Sequence, residues 1–264
     1  MSDRRVLAVL SGGGAPGLCR HAGMLAALDY HGVEITHWSG TSAGAIAAAL
    51  SATGRTAGDL KRILYGLTDA DIRSPRVAWK LRLPFLRSIM TTDRIRATLD
   101  RLLPREAPQD LYIWATAMNS WRPYNLACSE IPLVDAVLAS MAVPLVFPAV
   151  EFRDVEYQDG GLCFNVPLLA TWREYDEVWI LIASSHPRSY RGGVPMITQA
   201  VRAIDVLMYD QIGDVLEQVA GNPKVRVLWP RTTTGVGLTH LDHSLIAETE
   251  TEALRMLDRE EDGR

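Results

Sequence analysis

No run in this chain approaches the ~20 consecutive apolar residues that a bilayer-spanning helix needs. The first apolar stretch, Val6–Leu10, is five residues long before Ser11 and three glycines interrupt it, and the polar Met1–Arg5 ahead of it does not read as a secretory leader. An excess of positive charge is also missing. The net charge is −4, so the molecule as a whole has no attraction for nucleic acid. Cysteine is scarce: Cys19, Cys128 and Cys163 are odd in number and lack C-x-x-C spacing, which argues against a disulfide framework and against structural zinc. No metal-ligand spacing occurs, and the glycine-rich loop lacks the Gly-Lys-Ser/Thr of a Walker A motif. These absences lead us to expect a cytoplasmic chain without metal or cofactor, meeting any membrane peripherally.

What is present is an ordinary globular composition, 48% hydrophobic and 22% charged over 264 residues, enough for one sizeable α/β domain. Short apolar runs at Val6–Ser11, Ile35–Gly40, Leu111–Met118, Val178–Ile182 and Val225–Leu228 read as buried strands. Val150–Tyr157 reads as a hairpin turning at Arg153–Asp154, and Tyr124–Cys128 pairs with Leu111–Met118. Helical patterns cover Leu18–Tyr30, Ser42–Thr53, Ala57–Leu67, Thr92–Leu103 (with Thr92 as cap), Leu133–Met141, Val166–Trp172, Met196–Ala220 and Ile246–Leu257. Asp258–Arg264 reads as a frayed charged tail. Strands alternating with helices predict an α/β three-layer sandwich with a mostly parallel central sheet. With no repeat or linker visible, residues 1–264 read as one domain, with an insertion at about 73–90 and a C-terminal helix and tail at about 246–264.

Gly40-Thr41-Ser42-Ala43-Gly44 is a G-x-S-x-G motif between an apolar strand and an Ala-rich helix, the context a nucleophile elbow requires. Such a turn exposes the serine hydroxyl above the first N–H groups of a helix. The first strand runs into Ser11-Gly12-Gly13-Gly14-Ala15-Pro16-Gly17. These glycines could cradle a phosphate in the dinucleotide manner, or their amides could converge on a carbonyl oxygen as it becomes charged. A dinucleotide site wants an acidic residue about 20 residues later. The chain has the elbow on its second strand instead, which favours acyl chemistry.

Ser42 needs a base. The order Ser42…Asp159…His240 or His243 fits an α/β-hydrolase triad, but that fold places several strands before its elbow, and here only one precedes it. Asp159, in Gln158-Asp159-Gly160-Gly161, offers a carboxylate in a tight turn. Asp-Gly is also a common plain turn.

At this point the chain resembles the patatin-like phospholipase family. Ser11–Gly17 is similar to that family's glycine-rich motif, and Gly40–Gly44 to its elbow. Ala139-Ser140-Met141-Ala142-Val143-Pro144 with Phe147-Pro148 resembles its A-S-x-A-x-P…F-P block. Asp159-Gly160-Gly161 and Asn165-Val166-Pro167 resemble its D-G-G/A and N-x-P blocks. The resemblance implies a Ser42–Asp159 dyad without catalytic histidine, and an oxyanion hole at Gly12, Gly13 and Gly14 in which Gly12 shapes the loop. It also implies a lipid acyl-ester substrate. Most members carry a basic residue where this chain has Pro16, which puts phospholipid headgroup preference in question, and Arg20 is a candidate substitute charge. An acyltransferase, or a lipid-binding or regulatory module with weak turnover, is the alternative.

Arg73–Met90 interleaves Arg73, Arg76, Lys80, Arg82 and Arg87 with apolar residues including Trp79, Leu83 and Phe85. Apolar bodies with basic rims suit a lid or a peripheral membrane contact. A capping segment with its arginines in water fits equally. His186, His240 and His243 read as structural, Cys163 as a buried thiol, and Trp38 and Trp114 as core.

Overall fold

The computed structural model describes residues 4–74, 88–184, 195–232 and 237–262. Their elements run β1 (Val6–Leu10), α1 (Gly14–Tyr30), β2 (His37–Thr41), α2 (Ala43–Ala52), α3 (Ala57–Gly66), α4 (Asp69–Ile72), α5 (Asp93–Leu102) and β3 (Leu111–Ala117). They continue through β4 (Arg122–Asn125), α6 (Leu133–Ser140), β5 (Val150–Phe152), β6 (Val155–Asp159), α7 (Gly161–Phe164), β7 (Glu177–Leu181), α8 (Pro195–Val219), β8 (Val225–Leu228) and α9 (Ser244–Asp262). One eight-stranded sheet has the order β5-β6-β3-β2-β1-β7-β8, with β4 also on β3. β3, β2, β1, β7 and β8 are mutually parallel, whereas β4, β5 and β6 are added antiparallel.

Strand side chains alternate between faces, and both faces are covered, as a parallel sheet requires. Val6, Ala8 and Leu10 of β1, Trp179 and Leu181 of β7, and Leu111 and Ile113 of β3 enter one core, with α1, α2, α3, α5, α6 and α9. Leu7 and Val9 of β1, and Val178 and Ile180 of β7, enter a second core with Ile212 and Val219 of α8. This is the three-layer sandwich expected.

Helix α1 starts at Gly14, within the glycine loop and four residues before the predicted start. Its interior glycines disfavour a helix by about 1 kcal/mol each. Burial of Leu18, Met24, Leu25 and Leu28 outweighs this at about 1.5–3 kcal/mol per side chain. Gly23 also permits close packing: a Cβ there would lie 2.5 Å from the Ile246 carbonyl oxygen of α9 and 2.8 Å from the Glu250 nitrogen.

Other departures have local causes. β2 begins at His37 because the Thr36 hydroxyl bonds to the amide and carbonyl of Val6. Thr92 precedes α5 without a side-chain cap bond, while Thr56 forms a full capping box with Asp59 on α3. Residues 166–171 do not form the predicted helix. Helix appears earlier, as α7, and a 3-10 turn follows at Trp172–Glu174. The Pro167 carbonyl accepts from the Ser39 hydroxyl at 2.6 Å rather than from a helical amide. The expected frayed tail is helical to Asp262.

Gly23→Ala is expected to lower stability by about 1–3 kcal/mol, since it forces a methyl against backbone at the α1–α9 contact. Urea denaturation with an unchanged midpoint would contradict that packing.

Candidate active site

The ladder registers bring two functional side chains to one level of the sheet. β2 ends with Thr41 opposite Trp114 of β3, and β6 ends with Asp159 opposite Ala115. Ser42, the next residue after β2, therefore arrives beside Asp159. Ser42 takes φ 55°, ψ −120°, a conformation that costs a non-glycine residue about 1–3 kcal/mol. The turn is tight enough to need glycine on both sides. A Cβ on Gly44 would stand 2.2 Å from the Leu10 carbonyl oxygen, and one on Gly40 2.4 Å from that of Gly44.

Ser140, at the end of α6, fastens this arrangement. Its hydroxyl donates to the Trp114 carbonyl at 2.6 Å and accepts the Ser42 amide at 2.9 Å. Its carbonyl accepts the Gly160 amide at 3.1 Å, and that of Ala142 accepts the Asp159 amide at 3.0 Å. The Thr116 hydroxyl donates to the Asp159 carbonyl at 2.9 Å.

The Asp159 side chain is fully buried. Burial pushes its carboxyl up to about 7; the Ser42 hydroxyl and the Gly161 amide pull it back, and Asp205 on α8 pushes it further up. Oδ1 accepts the Gly161 amide at 2.8 Å, while Oδ2 has no well-aligned hydrogen bond. The Ser42 hydroxyl is near enough to lower the carboxyl's pKa, and loosely aligned contacts of this kind commonly tighten when a ligand seats.

In the glycine loop the Gly12 amide is committed to the Asn165 carbonyl at 3.1 Å, and the Gly12 carbonyl accepts the Ser11 and Ser184 hydroxyls. Gly12 therefore anchors the loop and is not an amide donor to the cavity. Gly13 is the N-cap of α1 and Gly14 its first residue, where helix amides have no intrahelical acceptor.

Gly13, Gly14, Ser42 and Asp159 line one small cavity with Asn165, Asp205 and Tyr209. A second, apolar cavity also opens on Ser42 and Gly14, and is lined by Ile46, Leu50, Leu64 and Leu99 among others. Ser42 stands where the two meet.

The five described histidines line neither cavity. His21 is buried against the Ser11 carbonyl at 2.7 Å, and desolvation lowers its pKa to about 4. His31 and His37 face Asp258 and Asp110. His240 bonds to Asp69 at 2.8 Å, and His243 packs against Tyr65. Pro16 lies buried in the first turn of α1 and lines neither cavity. Arg20 is buried, donates to the Thr232 hydroxyl and the Ala183 carbonyl, and lines neither cavity. Cys163 is half-buried rather than buried. Trp38 and Trp114 pack against the two cores. Trp79, Leu83 and Phe85 of the lid expectation, and His186, lie outside the described residues.

Sequence reasoning gave no role to Ser140, Asn165 or Asp205. Ser140 and Asn165 sat in motif blocks already noted, whereas Asp205 on a long helix resembles any solvated charge. Among the described residues no helix is long and apolar enough to cross a membrane, and no cluster of three His, Cys, Asp or Glu forms a ligand set.

Fold and site together define an α/β protein with a strand–serine–helix elbow beside a buried carboxylate. The chain belongs to the patatin-like phospholipase family, whose model matches residues 8–172, more than half of its length. Among solved structures it is similar to VipD from Legionella pneumophila at 17% identity and a TM-score of 0.54, covering 98% of this chain and 67% of that one. It is also similar to the type III effector protein ExoU at 20% identity and a TM-score of 0.40, covering 98% and 53%. The chain thus spans about two thirds and half of their lengths. No curated protein sequence matches.

Ser140→Ala removes a buried acceptor from the Ser42 amide, and is expected to cost about 1–3 kcal/mol. Hydrogen exchange should show a faster Ser42 amide. Unchanged exchange there would show that Ser140 does not hold the elbow.

Proposed function

We propose that this chain hydrolyses lipid acyl esters with Ser42 as nucleophile and Asp159 as its only side-chain base. The observation that carries this reading is a fully buried carboxylate in the cavity of an elbow serine, with no described histidine lining it. Its pKa of about 7 suits a general base at neutral pH.

In the first half-reaction Ser42 Oγ attacks the ester carbonyl carbon and its proton passes to Asp159 Oδ2. The carbonyl oxygen becomes an oxyanion, held by the Gly14 amide at the start of α1. One such donor contributes about 3–4 kcal/mol in the transition state. Collapse breaks the bond to the alcohol oxygen, which takes the proton from Asp159. In the second half-reaction water gives a proton to Asp159 and its oxygen attacks the acyl-Ser42 carbonyl. Collapse releases the fatty acid, and the proton returns to Ser42 Oγ.

A fluorophosphonate probe should label the wild type and not Ser42→Ala, and Ser42→Ala should lose about 10⁴-fold or more in p-nitrophenyl ester hydrolysis. Equal labelling of Ser42→Ala would end the proposal. Because the base must be ionised, kcat/KM should fall as pH drops below about 7. An acid limb near 4 would point to an exposed carboxylate instead.

Asp159→Asn should be inactive yet folded. The native carboxyl holds its proton from its usual 3.8 up to about 7, so the wild type should lose stability relative to Asp159→Asn as pH rises across that window. A constant stability difference from pH 4 to 8 would mean that the carboxylate is not desolvated.

A further inference from the structure

The apolar cavity at Ser42 follows one helix. From α2 and its N-cap it is lined by Ser42, Ala43, Ile46 and Leu50, positions that fall within about 100° of one helix face. Leu50 is eight residues beyond Ser42, which at 1.5 Å per residue is about 12 Å along the axis. Only about 60 Å³ of its space admits the centre of a water molecule, so the passage is narrow.

The lining farthest along α2 is buried. Leu50, Leu64 of α3 and Leu99 of α5 are all buried and line it together. Behind them Arg55, just past α2, donates to the Leu102 carbonyl at the end of α5 and to the Thr53 hydroxyl, tying the two helix ends together. Polar groups on the lining have partners of their own. Asp71 is taken up by the amide and hydroxyl of Thr68, and the Thr98 hydroxyl accepts from Arg101.

We infer that this cavity is an acyl-chain ruler that seats a saturated, unsubstituted chain of about eight to ten carbons along α2 from Ser42 to Leu50. The figure follows from an extended chain advancing about 1.2 Å per bond over the 12 Å available. A longer chain must displace Leu50, Leu64 or Leu99, and a hydroxylated one lies against a mainly apolar lining. Rate per methylene should rise about fourfold up to the limit, as each buried CH2 is gained, and then fall. The inference rests on the acyl-ester reading of Ser42 for its catalytic half, but not for binding.

The test has two arms. In the first, wild type, Ile46→Phe and Leu50→Ala are assayed for kcat/KM on p-nitrophenyl esters from C2 to C16, with circular dichroism as the check of folding. The wild type should peak at C8–C10, Ile46→Phe at shorter chains, and Leu50→Ala about two to three carbons longer. In the second arm, Ser42→Ala is titrated calorimetrically with free fatty acids from C6 to C16, with and without Leu50→Ala. The same length preference and shift should appear without turnover.

Folded variants with an unmoved length optimum, or a binding series that strengthens smoothly through C16, would overturn the ruler. Loss of ester turnover together with a preserved binding optimum would instead count against the nucleophile and leave the ruler standing.

Discussion

The Ser140 hydroxyl stands between a strand and a helix start, giving its proton to the Trp114 carbonyl and taking the Ser42 amide. Ser42 sits in a backbone conformation that only surrounding structure can hold. Its own turn supplies the glycines but not the restraint. The restraint comes from the end of α6, and the same turn of chain takes the Gly160 and Asp159 amides through the carbonyls of Ser140 and Ala142. One short segment thus fixes both the hydroxyl and the carboxylate, and each depends on the other being in register along β3.

Desolvation governs the electrostatics of the pair. A carboxylate removed from water and given one amide bond on Oδ1 holds its proton far more readily than an exposed one. The Ser42 hydroxyl offsets part of that penalty and Asp205 adds to it. The balance falls near neutrality because burial is the largest influence. Close by, the apolar cavity under α2 and the more polar one beside Asp159 give Ser42 two chemically different sides. An ester also has two such sides, a chain and an alcohol.

Much of the framework was legible locally. Val225–Leu228 and the helix from Leu133 were read almost to the residue, since an apolar run or a 3.6-residue period dominates each. The helix expected over Val166–Trp172 failed because its apolar residues bury in the second core along an irregular path, while Asn165 and Pro167 are tied to α8 and β2. The expected tail failed in the other direction, α9 continuing to Asp262. Of the site, Ser42 and the glycines announced themselves through chemistry that only particular residue types permit. Asp159 was one Asp-Gly among plausible turns until the motif order singled it out.

The sequence by itself determined the alternation of elements, the elbow and the scarcity of competing chemistry, because hydrophobic period, glycine placement and composition are properties of neighbouring residues. Tertiary structure alone decided that Asp159 is buried at the level of Ser42, that Gly12 commits its amide to Asn165, and that Arg20 bonds to Thr232 and Ala183 instead of lining the cavity. Those outcomes depend on strand register and on desolvation. Both arise from residues more than a hundred positions apart, and no local pattern encodes them.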